Sequence, residues 1–211
     1  GEIYVRREEF SRRHPVRFLR ERGFMVRAAP ASEYLSYTNH LINHGLRERT
    51  LTARQRIEAR ITALIQEWWE GRIRGIMAQS GLCPHRPAPV GRIIRNVRHL
   101  LDPNFRSETI LTVGVAMNDI LRDACGVISI GPFGCMPFRV AEAILKREMT
   151  FAGKRRMPGW RRRAGKFRDL DPFPFLSVET DGGAMPQQTE AALEAFAIQA
   201  RRLHERMLRH S

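Results

Sequence analysis

Gly126-Val-Ile-Ser-Ile-Gly-Pro-Phe-Gly-Cys135-Met-Pro137 reads as a short buried strand that enters a tight Gly/Pro turn, presents one cysteine and opens a helix. Proline at the first helical position suits its missing N–H. Where a strand's C-terminal edge meets a helix N-terminus, open α/β sheets place their chemistry. A thiol there feels the partial positive charge of unpaired N–H groups, which favours the thiolate that binds metals and attacks electrophiles. A structural, half-buried cysteine in a βα turn would leave the same local pattern, so the motif by itself keeps both readings open.

Outward from this unit, strands alternate with helices. Ile3-Tyr-Val opens as a strand, Glu8 to Pro15 is turn-rich, and Val16 to Arg22 is a short helix ended by Gly23. Met25 to Ala29 reads as a second strand, and Pro30 and Ser32 start a helix from about Glu33 to His44. Thr52 to Gln79 is the longest helical stretch, with Ile57, Ile61, Leu64, Ile65, Trp68, Ile73, Ile76 and Met77 on one apolar face. Of Trp68 and Trp69, one is expected in the core and one at its rim. Three prolines make Gly81 to Pro89 a loop, and Val90 to Leu101 is helical. Ser107 caps a helix reaching about Ala124. Beyond the helix of Pro137 to Glu148, Met149 to Pro172 reads as a basic, glycine-punctuated loop. Phe173 to Glu179 is a last strand, and Gln187 to about Arg209 a closing amphipathic helix.

This alternation argues for an α/β class: a parallel, doubly wound, flavodoxin-like sheet covered by helices on both faces, with a helical insertion around 46–124. The expected organisation is one α/β domain over 1–211, holding a helical insertion at 46–101 and the basic loop at 149–172. The chain opens abruptly inside a strand, as expected of a C-terminal fragment of a longer polypeptide. Right-handed crossovers would gather Arg6, Pro30, Cys135 and the Glu179-Thr-Asp181-Gly-Gly183 turn along one rim.

Of 211 residues, 43% are hydrophobic and 27% charged, an ordinary globular composition. No apolar run approaches the ~18 residues of a membrane span, and the first residues lack a signal-peptide layout, so a cytoplasmic protein is expected. The three cysteines, Cys83, Cys125 and Cys135, form no C-x-x-C pair, which argues against a disulfide scaffold and a self-contained four-thiolate site. The net charge of +14 invites a nucleic-acid reading. The charge is mostly arginine spread over nearly every helix, with no recognition motif beside it, and this argues against nucleic acid.

Three segments together are more specific. Asn104-Phe-Arg-Ser-Glu108-Thr-Ile-Leu-Thr-Val-Gly114, Pro132-Phe-Gly-Cys135-Met-Pro137 and Pro174-Phe-Leu-Ser-Val-Glu179-Thr-Asp181-Gly182 follow Gly1-Glu-Ile-Tyr-Val-Arg6 and Ala29-Pro-Ala-Ser-Glu33. In this order and spacing they resemble the C-terminal part of the 2-hydroxyacyl-CoA dehydratase and benzoyl-CoA reductase family, in its branch of large activase-associated, double-cubane-type proteins. The resemblance covers most of the chain and is weakest around Cys83 and after Met149. It implies an iron–sulfur component of an ATP-driven, anaerobic, low-potential electron-transfer system acting on acyl-CoA. The cluster would be a 4Fe-4S cluster or a double-cubane 8Fe-7S cluster, incomplete in this chain alone. The implied partners are an activase ATPase, acyl-CoA, and a second subunit in a homo- or hetero-dimer. Cys135, between Gly134 and Met136, matches one of the family's ligand cysteines, and thiolate ligation suits such clusters generally. Cys125 stands where the family usually has aspartate, and Ser107 replaces a common glycine. No phosphate-binding glycine motif is present, so the chain is expected to have no ATP site and no activity alone.

Secondary candidates are weaker. Cys83 with His85, and Cys125, are possible further metal ligands. Glu179 and Asp181 could serve as acid and base, although Asp181-Gly182-Gly183 also reads as a plain turn. The Arg161 cluster could grip a CoA phosphate, because arginine forks match phosphate oxygens, or could simply be solvated. The same resemblance leaves a second class: an α/β interaction or regulatory module that lacks a cluster and docks an activase.

Overall fold

In the computed structural model, Val127–Pro132 (β1) pairs in parallel with Phe175–Thr180 (β2), from Val127 opposite Phe175 to Pro132 opposite Thr180. Residues 9–30, 32–43, 52–81, 90–103, 105, 107–181 and 186–210 are described. Successive strand residues face opposite sides, and the pair is covered on both. On one side lies Met136–Glu148 (α6): a Cβ on Gly131 would come within 2.4 Å of the Phe138 ring. On the other, Ile128 and Leu176 pack on Leu19, Phe196, Ala197 and Ala200. These come from Glu9–Glu21 (α1) and Gln187–Leu208 (α8), whose buried Leu193, Phe196, Ala197, Ala200 and Leu203 recur at helical spacing. The class is therefore α/β, mostly helical, with a small parallel sheet.

The chain divides into two compact units. The first comprises residues 1–29 and 107–211 and holds both strands. In it Thr109–Asp119 (α5) packs on α6, and its Ile110, Val113 and Met117 are fully buried. The helix expected to reach Ala124 stops at Asp119, because Ile120 is extended and Leu121 takes φ +66°. Its last carbonyls are satisfied by a buried cation. Lys154, 0% exposed, donates from Nζ to the carbonyls of Met117 at 2.5 Å and Ile120 at 2.7 Å. Its ammonium also lies 4.1 Å from the centroid of the Trp160 ring. Burial pushes this ammonium down to about 7, and Arg122 pushes the same way against Asp119 and Asp123.

Three expectations in this unit are corrected. Glu9 to Pro15 is helix rather than turn: α1 accommodates Pro15, whose burial offsets part of the lost backbone hydrogen bond. Met25 to Ala29 is not a strand; Met25 is 76% exposed and finds no ladder partner there. Met149 to Pro172 is not a loop. It contains Phe151–Arg156 (α7), capped by the Thr150 hydroxyl accepting from the Gly153 N–H at 3.1 Å, and the 3-10 helix Arg163–Leu170. Met157, Ala164 and Phe167 are buried and anchor it.

The second unit, residues 30–106, holds Ser32–Asn43 (α2), Ala53–Ala78 (α3) and Val90–Val97 (α4). Thr52 and Gln55 form a reciprocal capping box that starts α3. Its core is Tyr37, Ala63, Val90, Ile93, Ile94 and Val97. The long helix presents its small and polar side to α2, with Asn39 donating to Gln66 at 2.6 Å and Arg74 to Ser32 at 3.1 Å. Its apolar stripe is therefore exposed. Trp68 and Trp69 are 57% and 55% exposed, so neither is the core contact expected of them. Among the described residues no helix is long and apolar enough to cross a membrane.

Candidate functional site

The C-terminal ends of β1 and β2 lie side by side, with Gly131 opposite Glu179. After Pro132 the chain turns through Phe133 and Gly134, whose φ of +70° is a left-handed conformation that glycine adopts without strain. Cys135 then takes the N-cap position of α6 in extended conformation, and its carbonyl accepts from the Arg139 N–H at 3.0 Å. No side chain caps this helix, so its first N–H groups leave a partial positive charge beside Cys135. The thiol is half-buried, as a rim residue should be, and Met136 beside it is 62% exposed.

A second helix start reaches the same place. The Thr109 hydroxyl, fully buried, donates to the Pro137 carbonyl at 3.1 Å and meets the Ser107 hydroxyl at 2.8 Å. From α6, Arg139 reaches Glu179 Oε1 at 3.4 Å and Glu142 Oε2 at 2.8 Å. Lys146 closes on Glu142 at 2.8 Å. Burial alone would raise the Glu142 carboxyl, but Lys146 and Arg139 hold it below the ordinary carboxylate range. Asp181, just past β2, is exposed. Glu179 is thus tied to a cation rather than set as a free base, and Asp181 stands outside the strand pair.

Cys125 is not part of this rim. It precedes β1 at the opposite end, and a six-residue strand separates the two thiols by roughly 20 Å. It packs against the cluster of Leu19 and Phe196, and burial pushes its thiol up. A ligand role shared with Cys135 is excluded by that separation. Cys83, His85, Arg6, Gly182 and Gly183 lie outside the described residues. Among the described residues, no three His, Cys, Asp or Glu side chains are grouped to hold a metal ion. Among the described residues, the rim thus offers a single thiolate donor, Cys135. Arg139 and Lys154 were missed by sequence reading. A cation one turn into α6 was a usable signal for the first; nothing local marks the second as buried.

Compared with known proteins, the chain matches no protein-family model, no curated protein and no solved structure.

Proposed function

We propose that this chain is an iron–sulfur-binding component of an ATP-driven, low-potential electron-transfer system acting on acyl-CoA, with Cys135 as its thiolate ligand. One observation carries the reading: segments 107–114, 132–137 and 174–181, which bear the family resemblance, meet at one rim through Thr109, Pro137, Arg139 and Glu179. When bound, a cluster of this kind supplies a strongly reducing electron. The chain's own part is to hold a thiolate. The N-terminus of α6 favours the ionised sulfur, and the turn through Gly134 holds it half-buried at the end of β1, where ligands from another segment or subunit would meet it. The remaining ligands and the activase ATPase would be supplied from beyond the described residues. In the same reading, the parallel pair belongs to a doubly wound, flavodoxin-like sheet completed by further strands.

The test is anaerobic reconstitution of the chain with iron and sulfide, in the polypeptide and with the subunits in which it naturally occurs. We expect bound iron and an EPR signal on reduction, lost in Cys135→Ser and kept in Cys125→Ser. A colourless, iron-free protein removes the reading. It would leave the second reading, a cluster-free α/β module that docks an activase.

A further inference from the structure

The segment after α6 holds the densest positive charge of the chain, and it is built on a fixed scaffold. Lys154, Arg155, Arg156, Arg161, Arg162, Arg163, Lys166 and Arg168 stand against Glu148, Asp169 and Asp171. Met157, Ala164 and Phe167 fix its backbone in the core, and Lys154 ties α7 to the end of α5. The arginines therefore do not hang on a solvated loop. Phe151, Ala152, Arg155, Arg156 and Arg161 line an open concavity of about 440 Å³. Its lining has three guanidinium groups and no acid.

Its neutralisation is partial. Arg156 pairs with the buried Glu148, and Asp171 accepts from the Phe151 N–H at 3.0 Å, behind the helix start. Arg155 leans on Phe151, 5.5 Å from guanidinium carbon to ring centroid, and Arg168 approaches the same ring at 5.8 Å. Among the described residues, Arg161 has no acidic partner. The combination is an aromatic face flanked by cations, over a hollow of the size that takes small ligands. Aromatic rings stack on nucleobases, and arginine forks match phosphate oxygens.

We propose that this concavity binds a nucleoside polyphosphate, with Phe151 against the base and Arg155 and Arg161 on the phosphates. The ADP moiety is shared by free nucleotides and coenzyme A, and either source presents the same chemistry. The inference does not depend on a cluster at Cys135.

Calorimetric titration of the full chain with ADP, coenzyme A, pyrophosphate and a single-stranded oligonucleotide tests it. ADP should saturate well below about 1 mM. Arg155→Ala with Arg161→Ala should weaken it about tenfold or more. Phe151→Leu should weaken ADP by about tenfold and leave pyrophosphate unchanged. Arg161→Glu alters one exposed, unpaired side chain, so it keeps the fold and should still weaken ADP. Comparable binding of ADP and coenzyme A assigns the shared moiety; much tighter coenzyme A assigns the longer ligand. Absence of saturation by both, or wild-type affinity in the folded Arg161→Glu protein, overturns the proposal. So does binding of the oligonucleotide alone, falling about a thousandfold between about 50 and 200 mM salt, which would mark a nucleic-acid surface.

Discussion

Lys154 Nζ lies 2.7 Å from the carbonyl oxygen of Ile120, so a residue of α7 closes the end of α5 from 34 positions away. The contact fits its charge, since the C-terminal end of a helix is partially negative. Removing the ammonium strands the Met117 and Ile120 carbonyls in a dry site. Lys154→Met should cost about 2–4 kcal/mol in urea unfolding. A loss under about 0.5 kcal/mol would mean the carbonyls find water instead.

The same lysine makes stability depend on pH with a definite sign. Its folded value, about 7, lies below its ordinary value of 10.5, so between these limits the unfolded chain binds more protons. Stability therefore rises with pH across that window and the benefit is lost as pH falls toward about 7. The Cys125 thiol, pushed up by burial, acts oppositely above its ordinary value of 9.0. Urea midpoints should climb between about pH 7 and 8.5 in the wild type, and this climb should shrink in Lys154→Met.

Thiol labelling should separate the two described cysteines. Cys135 is half-buried at a helix start, whereas Cys125 is raised by burial against Phe196 and Ala200. Peptide mapping after brief alkylation near neutral pH should find Cys135 modified about tenfold faster or more. Equal rates would show that the α6 N-terminus does not activate its thiol.

Three glycines should each resist a methyl group, for two different reasons. Gly131→Ala drives a methyl into Phe138, and Gly153→Ala drives one to 2.1 Å from the Glu148 carbonyl oxygen. Each should cost about 1–3 kcal/mol by thermal melting. Gly134→Ala meets open space and pays only for its left-handed backbone, about 1–2 kcal/mol.

The long helix makes a converse prediction. Ile61→Ser or Trp68→Ser should change stability by less than about 0.5 kcal/mol, since both side chains are more than half exposed. Ile93→Ala, in the core of the same unit, should cost about 2 kcal/mol or more.

The central unit was legible because its cues agree. The period switches from two in Val127–Pro132 to helical after Cys135, and the turn between them has the residues its backbone needs. Met25 to Ala29 has the apolar character of a strand, but a short run cannot announce whether a neighbour exists to pair with. Periodicity in α3 revealed an amphipathic helix correctly and its environment wrongly, because Gln66 and Arg74 reach α2 while Trp68 is more than half exposed. Glycines and prolines after Met149 suggested a loop, while the buried anchors Met157, Ala164 and Phe167 were too sparse to read. At the site, Cys135 was placed correctly at the rim. Its tie to Glu179 through Arg139 depends on strand register, which no local pattern encodes.

The strand-bearing unit is assembled from two stretches that synthesis separates. Arg22 and Glu194 pair across 172 positions, and Leu19 finds Phe196 over a similar span. At roughly 5–20 residues per second, α1 leaves the ribosome about 10–30 seconds before its counterpart exists. The intervening helices can meanwhile consolidate among themselves. Final assembly must await the last helix, so ribosome stalling or truncation before about position 190 should leave α1 with an apolar side uncovered and open to chaperones.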